Sequence, residues 1–297
     1  MLHGAVGEDI SHSSSLSQRG RRPIPGSRYG LSTMYRFLAK PRWIAFHLLV
    51  IALMVAMVNL AFWQLRRLDE KKALNRAVRD RGALVAAAVE QLLPVGVDAS
   101  AVPAVQWRRV MATGTFDPAQ LLIRSRSYNG RPGFHVVSTL VLTDGRRLLV
   151  NRGWIPITAQ PGVSPTPPSP PAGVVTVEGR VRTSQHKGTF GAADPPTGTL
   201  TELNRLDVPR IAQQTSGAVL PAFIELDRPT STSTPTATSD PALIPPPEPS
   251  EGPHLSYAVQ WFIFTLCAAV GWVLVVRKSA RARRVAASPP TPVSASQ

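Results

Sequence analysis

Two long runs without a charged side chain constrain this chain more than any other feature. The first extends over residues 43–63 and the second over residues 255–276, and neither contains Asp, Glu, Lys or Arg. A bilayer core of about 30 Å requires about 20 apolar residues when each adds about 1.5 Å to a helix. Both runs meet that length and carry aromatic residues near their ends, as interfacial belts do. The sequence therefore predicts two transmembrane helices.

The basic residues around the second run predict the orientation. No Lys or Arg occurs between Arg228 and Arg277, whereas five follow the run, namely Arg277, Lys278, Arg281, Arg283 and Arg284. The positive-inside rule places such a flank in the cytoplasm. The first run exceeds the apolar core of a cleavable signal peptide, so it is interpreted as a retained anchor. Two spans then put both termini in the cytoplasm and the middle segment outside it.

The excess of basic residues favours one class of partner. Lys and Arg number 33 against 18 Asp and Glu, a formal net charge of +15. Such an excess suits either nucleic acid or an anionic membrane surface. Because two spans are present, the lipid bilayer is the predicted partner and nucleic acid is not.

Residues 64–228, between the spans, are interpreted as a helical stalk followed by a β-rich domain. Gln64 to about Leu93 has few helix breakers and is predicted to extend the first helix as an amphipathic stalk. A short helix is predicted over Leu206–Gln214. The predicted strands are Gln106–Phe116, Leu121–Tyr128, Phe134–Leu142, Arg147–Trp154, Val174–Arg182, Leu200–Leu203 and Val219–Leu226. Asp144-Gly145 predicts a hairpin with a type I′ turn. The predicted fold class is an α+β membrane protein, in which two transmembrane helices flank an extracytoplasmic antiparallel barrel or sandwich.

Four segments are predicted to be unstructured because of their composition. Residues 1–42 form a disordered basic N-terminal tail, and residues 277–297 form a second basic tail, which is predicted to be disordered after Val285. A proline-rich loop at Pro161–Pro171 lies within the domain, and a Pro/Ser/Thr-rich linker at 229–254 precedes the second span. Proline removes a hydrogen-bond donor and fixes φ, so neither segment is predicted to pair as a central strand.

The sequence carries no known catalytic constellation. It has no Gly-rich phosphate loop, no serine nucleophile elbow and no His-Glu-x-x-His motif, and its six histidines are scattered without metal-ligand spacing. Its one cysteine, Cys267, lies inside the second run and excludes an internal disulfide. These observations argue against an enzyme and against a copper chaperone, which needs soft ligands.

Polar residues in or beside the spans are the main candidates for a site. His254 stands just before the second run, where it is either an axial ligand to a haem iron or a polar residue at the helix end and the lipid head groups. His47 lies about 22 Å along the first helix from its outer end, too far to share one haem with His254. Asn59 and Gln260 are typical of hydrogen bonds between helices.

The run Leu149–Trp154 (LVNRGW) has two interpretations. In the structural one, a strand ends in a bulge at Gly153 and Trp154 packs in the core. In the functional one, Arg152 contacts a carboxylate of a partner or of a haem propionate. His135, in an alternating strand, is interpreted as an ordinary strand residue.

Four segments occur in an order that is familiar from one family. They are Phe62–Lys72 (FWQLRRLDEKK), Asn129–Pro156 (NGRPGFHVVSTLVLTDGRRLLVNRGWIP), Val177–Arg182 (VEGRVR) and His254–Trp261 (HLSYAVQW). Together they resemble the surfeit locus 1 family of cytochrome c oxidase assembly proteins, over about Arg42 to Arg277. The resemblance implies two spans around a non-cytoplasmic domain, no catalytic activity of its own and a role in building the oxidase.

The resemblance also implies a cofactor, partners and site residues. The family's membrane histidine, proposed as a ligand of haem a, falls on His254, and Arg152, Trp154, Tyr257 and Trp261 are the candidates for partner contacts or structural roles. The implied partners are the catalytic subunit of cytochrome c oxidase and the machinery that makes haem a. The alternative hypothesis is a scaffold that stabilises assembly intermediates without binding haem. The composition is typical of a bacterium, so the plasma membrane is the expected location.

Overall fold

The computed structural model describes residues 36–160, 162–189, 191–228 and 240–287. These residues form two units, one of residues 36–60 with 260–287 and one of residues 61–259. The outermost parts of both predicted tails (1–35 and 288–297) and linker residues 229–239 lie outside the described residues. The prediction of disorder is wrong for the described inner parts of the tails, because Arg36–Ala39 form a 3-10 turn and both long helices extend into the tails.

Two long helices carry the apolar runs. Helix α1 is Pro41–Gly82 and helix α5 is His254–Ala287, and both are long and apolar enough to cross a membrane. Their apolar side chains are mostly exposed, for example Leu48 at 63% and Leu266 at 64%. An apolar surface that the protein itself does not cover is what contact with lipid requires. The two apolar helices are thus confirmed, whereas the side of the membrane on which each terminus lies stays a prediction.

Helix α1 extends beyond its apolar run but ends earlier than predicted. It stops at Gly82, and strand β1 (Ala87–Ala88) and the single-turn helix α2 (Val89–Leu92) follow. A 3-10 turn at Ala99–Ala101 then leads into helix α3 (Val102–Val105). The prediction of one helix to Leu93 is wrong because Val89 and Leu93 are fully buried in the core of the domain. Burying these side chains outweighs the helix propensity of the segment.

Six further strands and one short helix complete the domain. They are β2 (Arg109–Tyr128), β3 (Arg131–Leu142), β4 (Arg147–Pro156), β5 (Val174–Thr183), β6 (Glu202–Leu203), α4 (Val208–Ala212) and β7 (Val219–Leu226). The two strands predicted at 106–116 and 121–128 are one strand, β2. Its pairing with β3 is irregular between Phe116 and Gln120, where Asp117 accepts a hydrogen bond from the backbone of Ala119.

Among the described residues the sheet closes on itself. The strand order is β2–β3–β4–β7–β5, and β5 also pairs with β2, so five strands form a barrel. The prediction of a purely antiparallel sheet is wrong, because β4 and β7 run parallel, as do β1 with β2 and β6 with β2. Neighbouring parallel strands need a long connection, and residues 157–218 supply it between β4 and β7.

Alternate residues of the strands fill two separate cores. All five barrel strands contribute to the inner core, with Leu140, Val150 and Ile224 fully buried. On the outer face, Leu149 of β4 and residues of β2, β3 and β7 pack against β6 and α4. Because successive side chains of a strand point to opposite faces, the continuous apolar run at the start of β4 is buried on both sides.

The hairpin turns differ from the predicted ones. Gly145 has φ +84, and its backbone nitrogen donates to the carbonyl of Leu142 at 2.9 Å. Asp144 has no positive φ, so this is a type I turn with a glycine bulge and not a type I′ turn. The type I′ geometry occurs instead at Asn129 (φ 49) and Gly130 (φ 73), between β2 and β3.

Candidate functional site

His254 is held by a residue of the other long helix. Its Nδ1 lies 2.8 Å from Oε1 of Gln64, a residue of α1. An amide oxygen can only accept a hydrogen bond, so the imidazole donates from Nδ1. In a neutral ring, Nε2 then carries the lone pair. The half-buried His254 therefore presents the ring nitrogen that an iron or another metal binds.

The turn before His254 is fixed to the same face of α1. Lys72 lies eight residues after Gln64 in α1 and forms an ion pair with Glu251 at 3.9 Å. Residues four apart share a helix face, and the buried Leu68 lies between the two contact points. Residues 251–254 are thus attached to α1 at both ends.

Gly252 leaves space beside the imidazole ring. Its φ is +67, and an added Cβ would lie 3.4 Å from Nε2 and from Cδ2 of His254. A larger residue at this position would place side-chain atoms next to the free ring nitrogen. The glycine therefore both allows the turn and keeps that nitrogen uncovered.

His47 has the opposite hydrogen-bond arrangement. The indole Nε1 of Trp272 donates to Nδ1 of His47 at 2.8 Å, and the two rings meet edge to face with centroids 5.6 Å apart. An imidazole nitrogen that accepts has no proton, so a neutral His47 carries its proton on Nε2. This pair connects α1 with α5 within the first unit, a role in helix contact that suits a polar residue inside an apolar run.

The other polar and aromatic candidates beside the spans have simpler surroundings. Tyr257 is 48% exposed, and Trp261 packs edge-on against Phe264 at 6.0 Å. Asn59 donates from Nδ2 to the carbonyl of Val55 in its own helix at 2.8 Å. The predicted use of Asn59 between helices is therefore not its use in this structure.

The predicted bulge in LVNRGW is present, but β4 does not end there as predicted and continues to Pro156. Val136 pairs with Gly153 and Val137 with Asn151, so Arg152 is the extra residue of β4. Gly153 has φ +140, and Trp154 is only 6% exposed, as predicted for a core residue.

A segment of the predicted linker pairs with β4 at this bulge. Trp154 and Ala242 exchange two backbone hydrogen bonds of 2.8 Å each. The carbonyl of Ile244 accepts a further hydrogen bond from Arg180 at 2.7 Å. The prediction of an unstructured linker is wrong for these residues, because neighbours of a proline retain their backbone donors and acceptors.

Arg152 is bound within its own chain. Its side chain is 5% exposed, Nη1 donates to Gln120 at 3.0 Å and to the carbonyl of Pro168 at 2.8 Å, and Nη2 donates to the carbonyl of Ser169 at 3.3 Å. Asp240 lies 3.8 Å from Nη2. Burial lowers the pKa of Arg152, and the charge of Asp240 opposes that effect. One guanidinium thus holds both proline-rich segments, which favours the structural interpretation over contact with a partner's carboxylate.

His135 lies in β3, as predicted, in a basic environment. Asn151 contacts its Nδ1 at 3.2 Å. Burial first, and then the charges of Arg126 and Arg182, lower the pKa of His135 to about 4. The ring is therefore neutral at physiological pH.

An open cleft lies on the domain at the β2–β3 hairpin. It has a volume of about 500 Å³, and its lining includes Arg124, Arg126, Phe134 and Ile157. Ile157 is 52% exposed. Sequence reasoning did not single out this cleft or Gln64. The signal for Gln64 was a polar residue directly after the apolar run, in a segment that already carried the family resemblance.

The fold combines a small mixed-sheet barrel domain with two long apolar helices, one before it and one after it in the sequence, of the kind that anchor proteins in membranes. Among the described residues, no group of three or more His, Cys, Asp or Glu is placed to hold a metal ion. The chain belongs to the SURF1 family, whose model matches residues 51–266. The resemblance found in the sequence is therefore confirmed.

Relatives from bacteria and from a eukaryote match the chain. It is 30% identical over 264 residues to uncharacterized SURF1-like proteins of Mycobacterium tuberculosis and Mycobacterium bovis, which covers 86% of this chain and 91% of each relative. A SURF1-like protein of Dictyostelium discoideum is 33% identical over 100 residues, which covers 32% of this chain and 37% of that protein.

Proposed function

We propose that this protein assists the assembly of cytochrome c oxidase by holding haem a at His254 before the haem enters the catalytic subunit. Membership of the SURF1 family supports the assembly role. The observation that carries the haem proposal is the hydrogen bond between Nδ1 of His254 and Gln64. That bond leaves Nε2 as the donor to an iron.

The surroundings of His254 suit a cargo that must be released. The ring is half-buried, and Gly252 leaves the ligand side open. Leu255 and Tyr257 are exposed and offer apolar and aromatic surface to a macrocycle. One imidazole ligand binds haem less tightly than two, and the second ligand in this proposal comes from the partner. The protein binds and orients the cargo and catalyses no reaction.

We also propose a location for the protein in the membrane. Both termini lie in the cytoplasm, the barrel lies outside it, and His254 stands at the outer surface of the plasma membrane. The partners are the catalytic subunit of the oxidase, the machinery that makes haem a and the bilayer.

The test is the visible spectrum of the full-length protein, purified in mild detergent from cells that make haem a. We expect a haem a band in the wild type that is lost in His254→Ala. His186→Ala is the matched control, because His186 is an exposed histidine in the same unit, and it should keep the band. A band that persists in His254→Ala would exclude this ligand, and a wild type without haem would exclude the haem role.

The cleft at the β2–β3 hairpin supports a second candidate function, a scaffold that binds an oxidase subunit and never binds haem. Its exposed apolar residue Ile157, beside Arg124, suits a protein contact. If the scaffold is correct, Ile157→Asp lowers the yield of assembled oxidase in cells and His254→Ala does not. The haem proposal predicts the reverse.

A further inference from the structure

We infer that Gln64 is a positioning residue that fixes the proton of His254 on Nδ1 and so reserves Nε2 for a ligand. The identity of that ligand as haem rests on the proposed function. The position of the proton does not, because it can be measured on the protein without any ligand.

A neutral imidazole exists in two forms that differ in the position of one proton. Either nitrogen can carry the proton, and the hydrogen-bond partner of one nitrogen decides which form prevails. At Nδ1 of His254 that partner is the amide oxygen of Gln64, at 2.8 Å, a normal hydrogen-bond length. Both side chains are partly buried, so water competes less with this bond than it would at an exposed site.

The backbone holds both partners in place. Gln64 lies within the continuous helix α1, next along one face to the buried Leu68. His254 is the first residue of α5, and the ion pair of Glu251 with Lys72 anchors the turn that precedes it. The backbone therefore keeps the imidazole within hydrogen-bond distance of Gln64.

The second histidine of the long helices shows that the arrangement is specific to His254. His47 accepts at Nδ1 from the indole of Trp272 and so carries its proton on Nε2. The same nitrogen thus meets an acceptor at His254 and a donor at His47. His47 provides an internal reference for the experiment.

The experiment is nitrogen NMR of the full-length protein in detergent, labelled with ¹⁵N in the histidine rings and free of haem. It is recorded at a mildly alkaline pH, and His254→Ala and His47→Leu identify the signals. We expect the Nδ1-protonated form for His254 and the Nε2-protonated form for His47. Gln64→Leu should abolish the preference at His254, and Gln64→Glu should retain it because a carboxylate is also an acceptor.

Asn59→Leu is the matched control. It removes an amide from the same helix, but that amide bonds to the carbonyl of Val55, so the His254 signal should not change. The inference is overturned if His254 carries its proton on Nε2 in the wild type, or if Gln64→Leu leaves the proton where it was.

Haem binding provides the second readout. Loss of a hydrogen bond behind a metal ligand weakens binding about 10- to 100-fold. We expect that loss for Gln64→Leu and recovery of most of the affinity for Gln64→Glu. If the proton moves as expected and the wild type binds no haem, the proposed function fails while the inference about Gln64 stands.

Discussion

Replacing Gly153 with alanine tests whether residues 240–244 belong to the folded domain. A Cβ at Gly153 would lie 2.5 Å from the carbonyl oxygen of Ala242, 2.9 Å from its carbonyl carbon and 3.0 Å from Cβ of Pro241. The backbone at Gly153 also has φ +140, which residues with a Cβ rarely adopt. The overlap involves backbone atoms, which cannot move aside as a flexible side chain would.

The expected magnitude follows from the two ways in which the overlap can be relieved. If the segment stays in place, overpacking and backbone strain cost about 1–3 kcal/mol each. If residues 240–244 detach from β4, the two hydrogen bonds between Trp154 and Ala242 are lost, and each contributes about 1 kcal/mol to stability. The packing of Pro241 is lost with them. We therefore expect a loss of about 2–4 kcal/mol, equivalent to a decrease in Tm of about 5–15 °C for a domain of this size.

The assay is thermal unfolding of the full-length protein in mild detergent, followed by tryptophan fluorescence and circular dichroism. Hydrogen exchange at the amide of Ala242 shows whether the segment has detached. Gly145→Ala is the control, since Gly145 has φ +84 but nothing within 4 Å of an added Cβ. Its free energy of unfolding should decrease by only about 1–2 kcal/mol, the cost of placing a residue with a Cβ in this backbone conformation. The reasoning is refuted if both variants unfold at the same temperature.

Three further predictions concern the domain and the long helices. The folded-state pKa of His135 is about 4 and its ordinary value is 6.5, so between these values the unfolded chain binds a proton that the folded one does not. Stability is therefore complete above pH 6.5 and decreases by up to about 3 kcal/mol as the pH falls to 4. His135→Gln should remove this part of the pH dependence of Tm, and an unchanged slope would contradict the assignment. Arg152→Lys keeps the charge but loses the planar set of donors, and it should cost at least about 2 kcal/mol. Limited proteolysis should then cleave residues 162–171 faster, whereas an unchanged rate would show that Arg152 does not hold the loop. Trp272→Phe removes the donor to His47 but keeps the aromatic ring, and it should weaken the helix contact by about 0.5–2 kcal/mol in an SDS titration. An unchanged midpoint would show that the hydrogen bond contributes nothing to helix association.

Local patterns predicted the parts of the fold that depend on neighbours in sequence. The absence of charge identified both apolar helices, and the residue types of LVNRGW identified the bulge at Gly153 and the buried Trp154. The turn at Asp144-Gly145 was recognised but its type was not. The side chain of Asp144 accepts from the backbone and the guanidinium of Arg146, at 2.9 and 2.7 Å. Those bonds stabilise a type I turn, and residue pairs alone do not reveal them.

Contacts between distant residues were not predictable from the sequence. Gln64 and His254 are 190 residues apart, and neither residue type alone indicates the other as its partner. Proline content correctly predicted that residues 162–171 have no regular structure. It did not predict that the loop is held in place, because proline lacks an N–H but keeps its carbonyl, and Arg152 binds that of Pro168.

The closure of the barrel has a consequence for the order of folding. Strands β2, β3 and β4 are joined by short turns, so they can pair as soon as they are synthesised. Their outer edges meet β5 and β7 only after the long connection that follows β4. During that interval the edges of β2 and β4 are open to pairing with another chain. We expect chains that end before residue 219 to aggregate, and newly made full-length chains to depend on rapid completion of the domain.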